Sequence, residues 1–331
     1  MARPRLPGAA VRAGILPLAL GLALVGGARG AQDTAQGGAR DGAQERTRDG
    51  AAAGEGGITG FEANYLVFGT DSIGTAPGAL DGTPGGGIGG APDDGEADAD
   101  CDVKFQLSFS RRLSAPRGMR GGRVGGMLGR DSPLFFGFTQ RAWWDVCRDS
   151  APFRETNYEP SLFLRGRPTF AGRELDLLGG YVHQSNGQGG DRSIGWDRLF
   201  VRARLPLGER LGAMGFETGD RRRWLVDVTL WQPVFDGEDD AAIVRAAGYG
   251  QLVLAYTPSA ESRVRLTARK GGGLGRWERG LGGLDVIFPL PGTDLQGLVQ
   301  YGNGYGVSLE RVEEHAWEIR LGVLFSDIGL P

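Results

Sequence analysis

A chain of 331 residues is long enough for one large all-β domain or two ordinary ones, and a net charge of -3 with a pI near 5.6 argues against a nucleic-acid partner, whose phosphates require a basic stripe. Lys104 and Lys270 are the only lysines; the arginine bias and the 60 glycines fit skewed codon usage better than a binding function.

Residues 1–30 read as a signal peptide: Arg3, Arg5 and Arg12 precede an apolar stretch at 13–27, and Ala28 and Gly30 supply small residues around a cleavage point. That stretch is too short to cross a bilayer with ease, so an exported protein is expected rather than an anchored one. Residues 31–57 hold almost no large apolar side chain and are expected to form a disordered periplasmic leader. The remainder, 58–331, is expected to be one domain. No later segment offers the roughly eighteen uninterrupted apolar residues of a membrane helix, which leaves the closed barrel as the membrane-spanning solution.

From residue 58 onward, apolar and other residues alternate in runs separated by Gly, Pro, Asp and Arg clusters. Strands are expected to start near Phe61, Val103, Pro133, Glu155, Glu174, Trp196, Arg222, Val244, Ser262, Leu281, Asp294 and His315. The fold expected is an all-β, antiparallel transmembrane barrel of about 12 strands, of the outer-membrane type; an even count returns both termini to the periplasm. Trp143, Trp144, Trp196, Trp224 and Trp231 fall near the ends of runs, where interfacial aromatic girdles belong. A soluble β-sandwich has similar short strands but places Trp at their ends less often. The acidic, Gly-rich stretch between residues 72 and 102 is expected to be a long loop. Strand order puts Cys101 at the outer start of the second strand and Cys147 at the outer end of the third. These strands are neighbours, so a disulfide is expected in the oxidising compartment. The cysteine spacing matches no metal motif.

The chemistry concentrates at residues 181–198. Side chains two apart share a strand face, so His183 and Ser185 point the same way, together with Leu175, Leu177 and Tyr181. That face is apolar, so the pair looks outward to lipid, where polar side chains are costly and tend to be functional. Asp197 opens the next strand and returns beside the end of the fifth, where it can accept a bond from the imidazole and complete a Ser-His-acid arrangement. From the pattern alone, rim residues solvated by headgroups remain an alternative. Gln140 shares parity with Phe136 and Phe138, which places an amide on the lipid-facing wall. Its partner there is either a neighbouring strand or its own copy across a two-fold axis.

Six stretches in one order go further: NYL at 64–66, VKFQLS at 103–108, TQRAWW at 139–144, PFRETNYEP at 152–160, HQSNG at 183–187 and SIGWDRL at 193–199. In these the chain resembles the outer membrane phospholipase A family, discontinuously from about residue 64 to 325. The resemblance implies a calcium-dependent homodimeric enzyme of the bacterial outer membrane, active at the outer leaflet. Its reaction would be hydrolysis of the sn-1 and sn-2 acyl esters of glycerophospholipids and lysophospholipids. Ser185 would be the nucleophile, His183 the base, and the Gly187 backbone amide part of the oxyanion hole. Ser193 and the Gln188 carbonyl would bind calcium together with the Ser150 carbonyl of the other subunit, and Gln140 would lie in the dimer interface. The family usually has Asn where this chain has Asp197. Two other readings are a barrel without catalysis, serving as a pore or scaffold, and a secreted soluble esterase; a pore has no use for an outward-facing His183 and Ser185.

Overall fold

In the computed structural model, residues 57–73, 102–113, 132–170, 173–207, 224–234, 238–259, 261–272 and 279–327 are described. The expected signal peptide, nearly all of the leader and Cys101 lie outside them.

Twelve long strands form one antiparallel sheet: β1 (Asn64–Ile73), β2 (Asp102–Leu113), β3 (Leu134–Trp144), β4 (Phe153–Gly166), β5 (Asp176–Ser185), β6 (Gly195–Leu207), β7 (Trp224–Pro233), β8 (Gly250–Ser259), β9 (Ser262–Lys270), β10 (Gly280–Pro289), β11 (Gln296–Gly304) and β12 (Ala316–Ser326). Each pairs with its sequence neighbours, and β12 pairs back onto β1 from Ala316 opposite Ile73 to Ser326 opposite Asn64, closing the barrel. Closure satisfies the backbone of every strand within the sheet, a condition hydrocarbon imposes. Eleven of the expected starts fall on these strands or within three residues of them. The twelfth is corrected: Val244 lies in a helix, α1 (Glu238–Ala247), and β8 begins only at Gly250. Ile243, Ala246 and Ala247 are buried at helical spacing, i, i+3, i+4, a period the alternating reading of this segment overlooked.

Two faces alternate along each strand. The outer face exposes Phe68, Leu107, Leu162, Leu199, Leu266 and Leu321, as expected of a lipid-facing wall. The inner face carries charge, paired across the lumen. Lys104 meets Glu318 at 2.7 Å, and Arg154 meets Asp71 at 2.8 Å and Asp102 at 2.6 Å. Arg320 joins Glu318 and Asp102, while Arg202 joins Asp227 at 2.6 Å and also Glu62. Buried charges persist only when partnered in this way, since removing one partner of such a pair typically costs about 3–5 kcal/mol.

The tryptophans correct the girdle expectation in part. Trp144 stacks on Phe153 and Trp224 packs against Tyr256. Trp143 and Trp196 are buried, however, and Trp231 meets Trp196 edge to face. Trp143 has the parity of Thr139 and Arg141, which puts it in the lumen, where Lys104 lies over its ring. Trp196 and Trp231 serve the end of the barrel that carries residues 186–194. There Ile243 and Ala247 of α1 and Leu309 of the 305–315 loop pack onto Trp196. Arg245 of α1 and Arg279 both donate to Glu313 at 3.0 Å, and these bonds hold its carboxyl below the ordinary range.

Candidate active site

The β5–β6 ladder builds the site. Its register sets His183 directly opposite Asp197 and Ser185 opposite Gly195, while Tyr158 of β4 stands opposite Ser185 from the other side. His183 Nδ1 lies 2.9 Å from Asp197 Oδ1. The side chains are 40% and 22% exposed respectively, so the pair sits at the surface of the outer wall and not in the lumen. Parity confirms the direction: Val182 and Leu178 are buried inward, whereas Tyr181 is exposed. A proton on Nδ1 shared with the carboxylate leaves Nε2 as the acceptor, the tautomer a general base needs. Ser185 is half-buried on the same face. No hydrogen bond joins its hydroxyl to the imidazole among the described residues; such bonds commonly close only around substrate. A Cβ on Gly195 would come within 3.2 Å of the Ser185 Cβ, so glycine there leaves the serine room.

The inward residues of the same strands hold them in place. Gln184 Oε1 accepts from Trp196 Nε1 at 2.8 Å and from Arg198 at 2.9 Å, and Gln184 Nε2 donates to Asn157 at 3.3 Å. Asn157 in turn donates to Glu155 at 2.5 Å, and Glu155 accepts the backbone amides of Leu309 at 2.7 Å and Glu310 at 3.2 Å. The polar lumen thereby ties the 305–315 loop to the strands that present His183 and Asp197.

The loop after Ser185 is shaped by Asn186, which is buried. Its Oδ1 accepts from the amides of Gln188 at 3.2 Å and Ile194 at 3.0 Å, and its Nδ2 donates to the Arg192 carbonyl at 2.9 Å. Burial and the nearby Glu155 push the Glu310 carboxyl up from its ordinary range, while a bond from Asn186 pulls it back. Gly187 has φ +67°, and a Cβ there would fall 2.6 Å from the Tyr158 ring, so conformation and space both require glycine. Ser193 and Gln188 are exposed at the two ends of this loop, and the Ser193 amide donates to the Gly190 carbonyl at 3.1 Å. The donor set fits a hard cation: a hydroxyl and a backbone carbonyl, both oxygens, on a loop whose two ends one side-chain amide draws together. Removing that amide by Asn186→Ala is expected to destabilise the loop by about 1–3 kcal/mol. Hydrogen exchange should then accelerate at Gln188 and Ile194; protection equal to the parent's would show that Asn186 does not hold the loop.

Ser150 sits in the 145–152 turn at the same end of the barrel, exposed and at φ 63°. The Trp144 indole fixes that turn by donating to the Ala151 carbonyl at 2.8 Å. Gln140 is half-buried between Leu107 and Tyr158, and its amide bonds no other described side chain. Cys147 is not free, while Cys101, the partner expected for it, lies outside the described residues. The sequence reading therefore brought together His183 and Asp197, and placed Ser185, Gly187, Gln188 and Ser193 beside them. It gave no role to Asn186 or Gly195, and to Tyr181 only a place on the outer face. A signal existed for Asn186 alone, a buried-type amide between a serine and two loop glycines.

The family model described as Phospholipase A1 matches residues 49–325. Phospholipase A1 of Salmonella typhimurium is 35% identical over 234 residues, covering 69% of this chain and 70% of the relative. The Escherichia coli K12 protein of the same description is 34% identical over the same shares. Among solved structures, the calcium-bound dimer of the Salmonella typhi outer membrane phospholipase superposes with a TM-score of 0.61 at 28% identity, covering 82% of this chain and 93% of that one. An active-site asparagine-to-alanine variant of Escherichia coli outer membrane phospholipase A gives 0.61 at 27% identity, over 86% and 96%.

Proposed function

Because the chain belongs to the phospholipase A1 family of outer-membrane β-barrels, a family of carboxylic ester hydrolases, we propose that it hydrolyses the sn-1 and sn-2 acyl esters of glycerophospholipids and lysophospholipids with calcium, as a dimer, at the outer leaflet. The observation that carries this reading is the His183–Asp197 contact on the outer wall, with Ser185 on the same face.

In the reaction, Ser185 Oγ attacks the acyl carbonyl while His183 Nε2 takes its proton. Asp197 holds the imidazole by Nδ1 and stabilises the imidazolium that forms, a role a carboxylate fills at least as well as the amide usual in this family. The Gly187 amide donates to the oxyanion. His183 returns the proton to the departing glyceryl oxygen, leaving an acyl-serine; water then repeats the sequence and releases the fatty acid. Placement on the outer wall lets the ester reach Ser185 from the bilayer itself.

Ser193 Oγ and the Gln188 carbonyl would hold the calcium ion together with the Ser150 carbonyl of a second copy, and Gln140 would meet its own copy in that interface. When bound, the cation supplies positive charge near the reacting carbonyl. Cys101 and Cys147 would form the disulfide that fixes the outer ends of β2 and β3.

The test is fatty-acid release by the detergent-purified protein from mixed phospholipid micelles, with calcium and then with excess chelator. Release that stops on chelation and returns with added calcium is expected. Undiminished release in chelator would remove calcium from the reading, and no release under either condition would remove the phospholipid substrate.

A further inference from the structure

Tyr181 lies two residues before His183 on the outward face of β5, and its hydroxyl donates to Asp197 Oδ1, the oxygen that also faces His183 Nδ1. One carboxylate oxygen on the lipid-facing wall thus receives a phenol and an imidazole together. The geometry points to Tyr181 as a positioning residue of the esterase site, one that fixes the Asp197 carboxylate opposite His183 and takes up part of its charge. This role rests on the assignment of His183 and Asp197 in the proposed function.

Register explains why the residue has to be long and polar at its tip. His183 and Asp197 are directly opposite, whereas Tyr181 is opposite Leu199 and reaches Asp197 along the diagonal. Diagonal neighbours in an antiparallel pair are separated by about 7–8 Å, within reach of an aromatic side chain but not of a short one. Phenylalanine would cover the same wall between Leu162 and Leu199. The hydroxyl contributes nothing to that apolar contact and is turned to the carboxylate.

The charge explains why a donor is needed. A carboxylate at the edge of hydrocarbon has more acceptor sites than one imidazole N–H can fill, and leaving them unfilled there is costly. A second donor spreads that charge while keeping the Nδ1 contact. The amide usual at this position in the family is neutral and poses no such problem. The other ionisable groups near the pair do not supply the bond. Tyr158 of β4 is level with Ser185, and the Arg198 guanidinium turns inward to Glu159 and Gln184. Across from β6, Gln232, Pro233 and Val234 carry no charge, and the Val234 amide donates to the Asp197 backbone carbonyl.

The experiment compares parent, Tyr181→Phe, Asp197→Asn, the double variant and Ser185→Ala, all in detergent with saturating calcium, by kcat and KM for micellar phospholipid at one pH. Tyr181→Phe should lower kcat by about tenfold with KM within about twofold of the parent. In the Asp197→Asn background the same substitution should change kcat by less than about twofold. An unchanged kcat in Tyr181→Phe, an equal fall in kcat in both backgrounds, or an effect on KM alone would overturn the role. Ser185→Ala separates the two levels: lost turnover there with an unchanged kcat in Tyr181→Phe overturns Tyr181 alone, whereas full turnover there overturns the esterase site and this role with it.

Discussion

Ser185→Ala should reduce phospholipid turnover by about 10⁴-fold or more, because removing a serine nucleophile leaves only the rate that substrate binding and oxyanion stabilisation supply. The substitution is sterically silent. Alanine keeps the Cβ that stands 3.2 Å from the space a Gly195 side chain would occupy, and only the hydroxyl is lost. Barrel content by circular dichroism and the heat-dependent gel mobility of a folded barrel should therefore match the parent. Turnover within tenfold of the parent, measured on a folded variant, would eliminate Ser185 as nucleophile. A variant that loses both activity and fold would call for Ser185→Cys, which retains a nucleophile of similar size and should keep measurable turnover.

The second large effect is expected at Gly187, with a fall in kcat of about 10²–10³ for Gly187→Ala, the scale of losing one oxyanion donor. Two features of the chain combine there. An alanine at φ +67° is held in a conformation it rarely adopts, and its Cβ would fall 2.6 Å from the Tyr158 ring, so the backbone amide has to turn away from its present direction. The strain amounts to about 1–3 kcal/mol, too little to unfold a closed barrel. Gly189→Ala is the matched control: a Cβ at Gly189 meets nothing within 4 Å and its φ is -113°, so kcat should stay within about twofold of the parent. Equal rates for parent and Gly187→Ala would show that its amide has no part in the reaction.

The strands were legible because a barrel wall has one lipid face and one lumen face, and a period of two follows from that alone. His183 and Asp197 were legible for a related reason: a short loop between consecutive antiparallel strands returns the chain beside itself. What alternation could not show was a contact along the diagonal. Tyr181 and Asp197 meet through the offset between strands, which depends on register and not on either strand's own pattern. The helix at Glu238–Ala247 shows its period only in Ile243, Ala246 and Ala247, too few residues to stand out from the alternation on either side, although they pack near Trp196 and Leu309. Trp143 shows a different limit. Its position near a strand end suggested the membrane interface, yet its parity with Thr139 and Arg141 already assigned it to the lumen, and parity prevailed. Gly187 offered no cue for its positive φ, since a glycine in a polar loop is equally at home in ordinary backbone.

The lumen has a consequence for conductance. Salt-bridged side chains occupy the barrel interior, and α1 with the 305–315 loop packs over one end. Those paired charges narrow the path along the barrel axis, so the protein in a planar bilayer should conduct less than an open pore of the same strand number. A site on the outer wall needs no path through that lumen, so the charged interior is left to hold the strands rigid while the outer face meets the lipid.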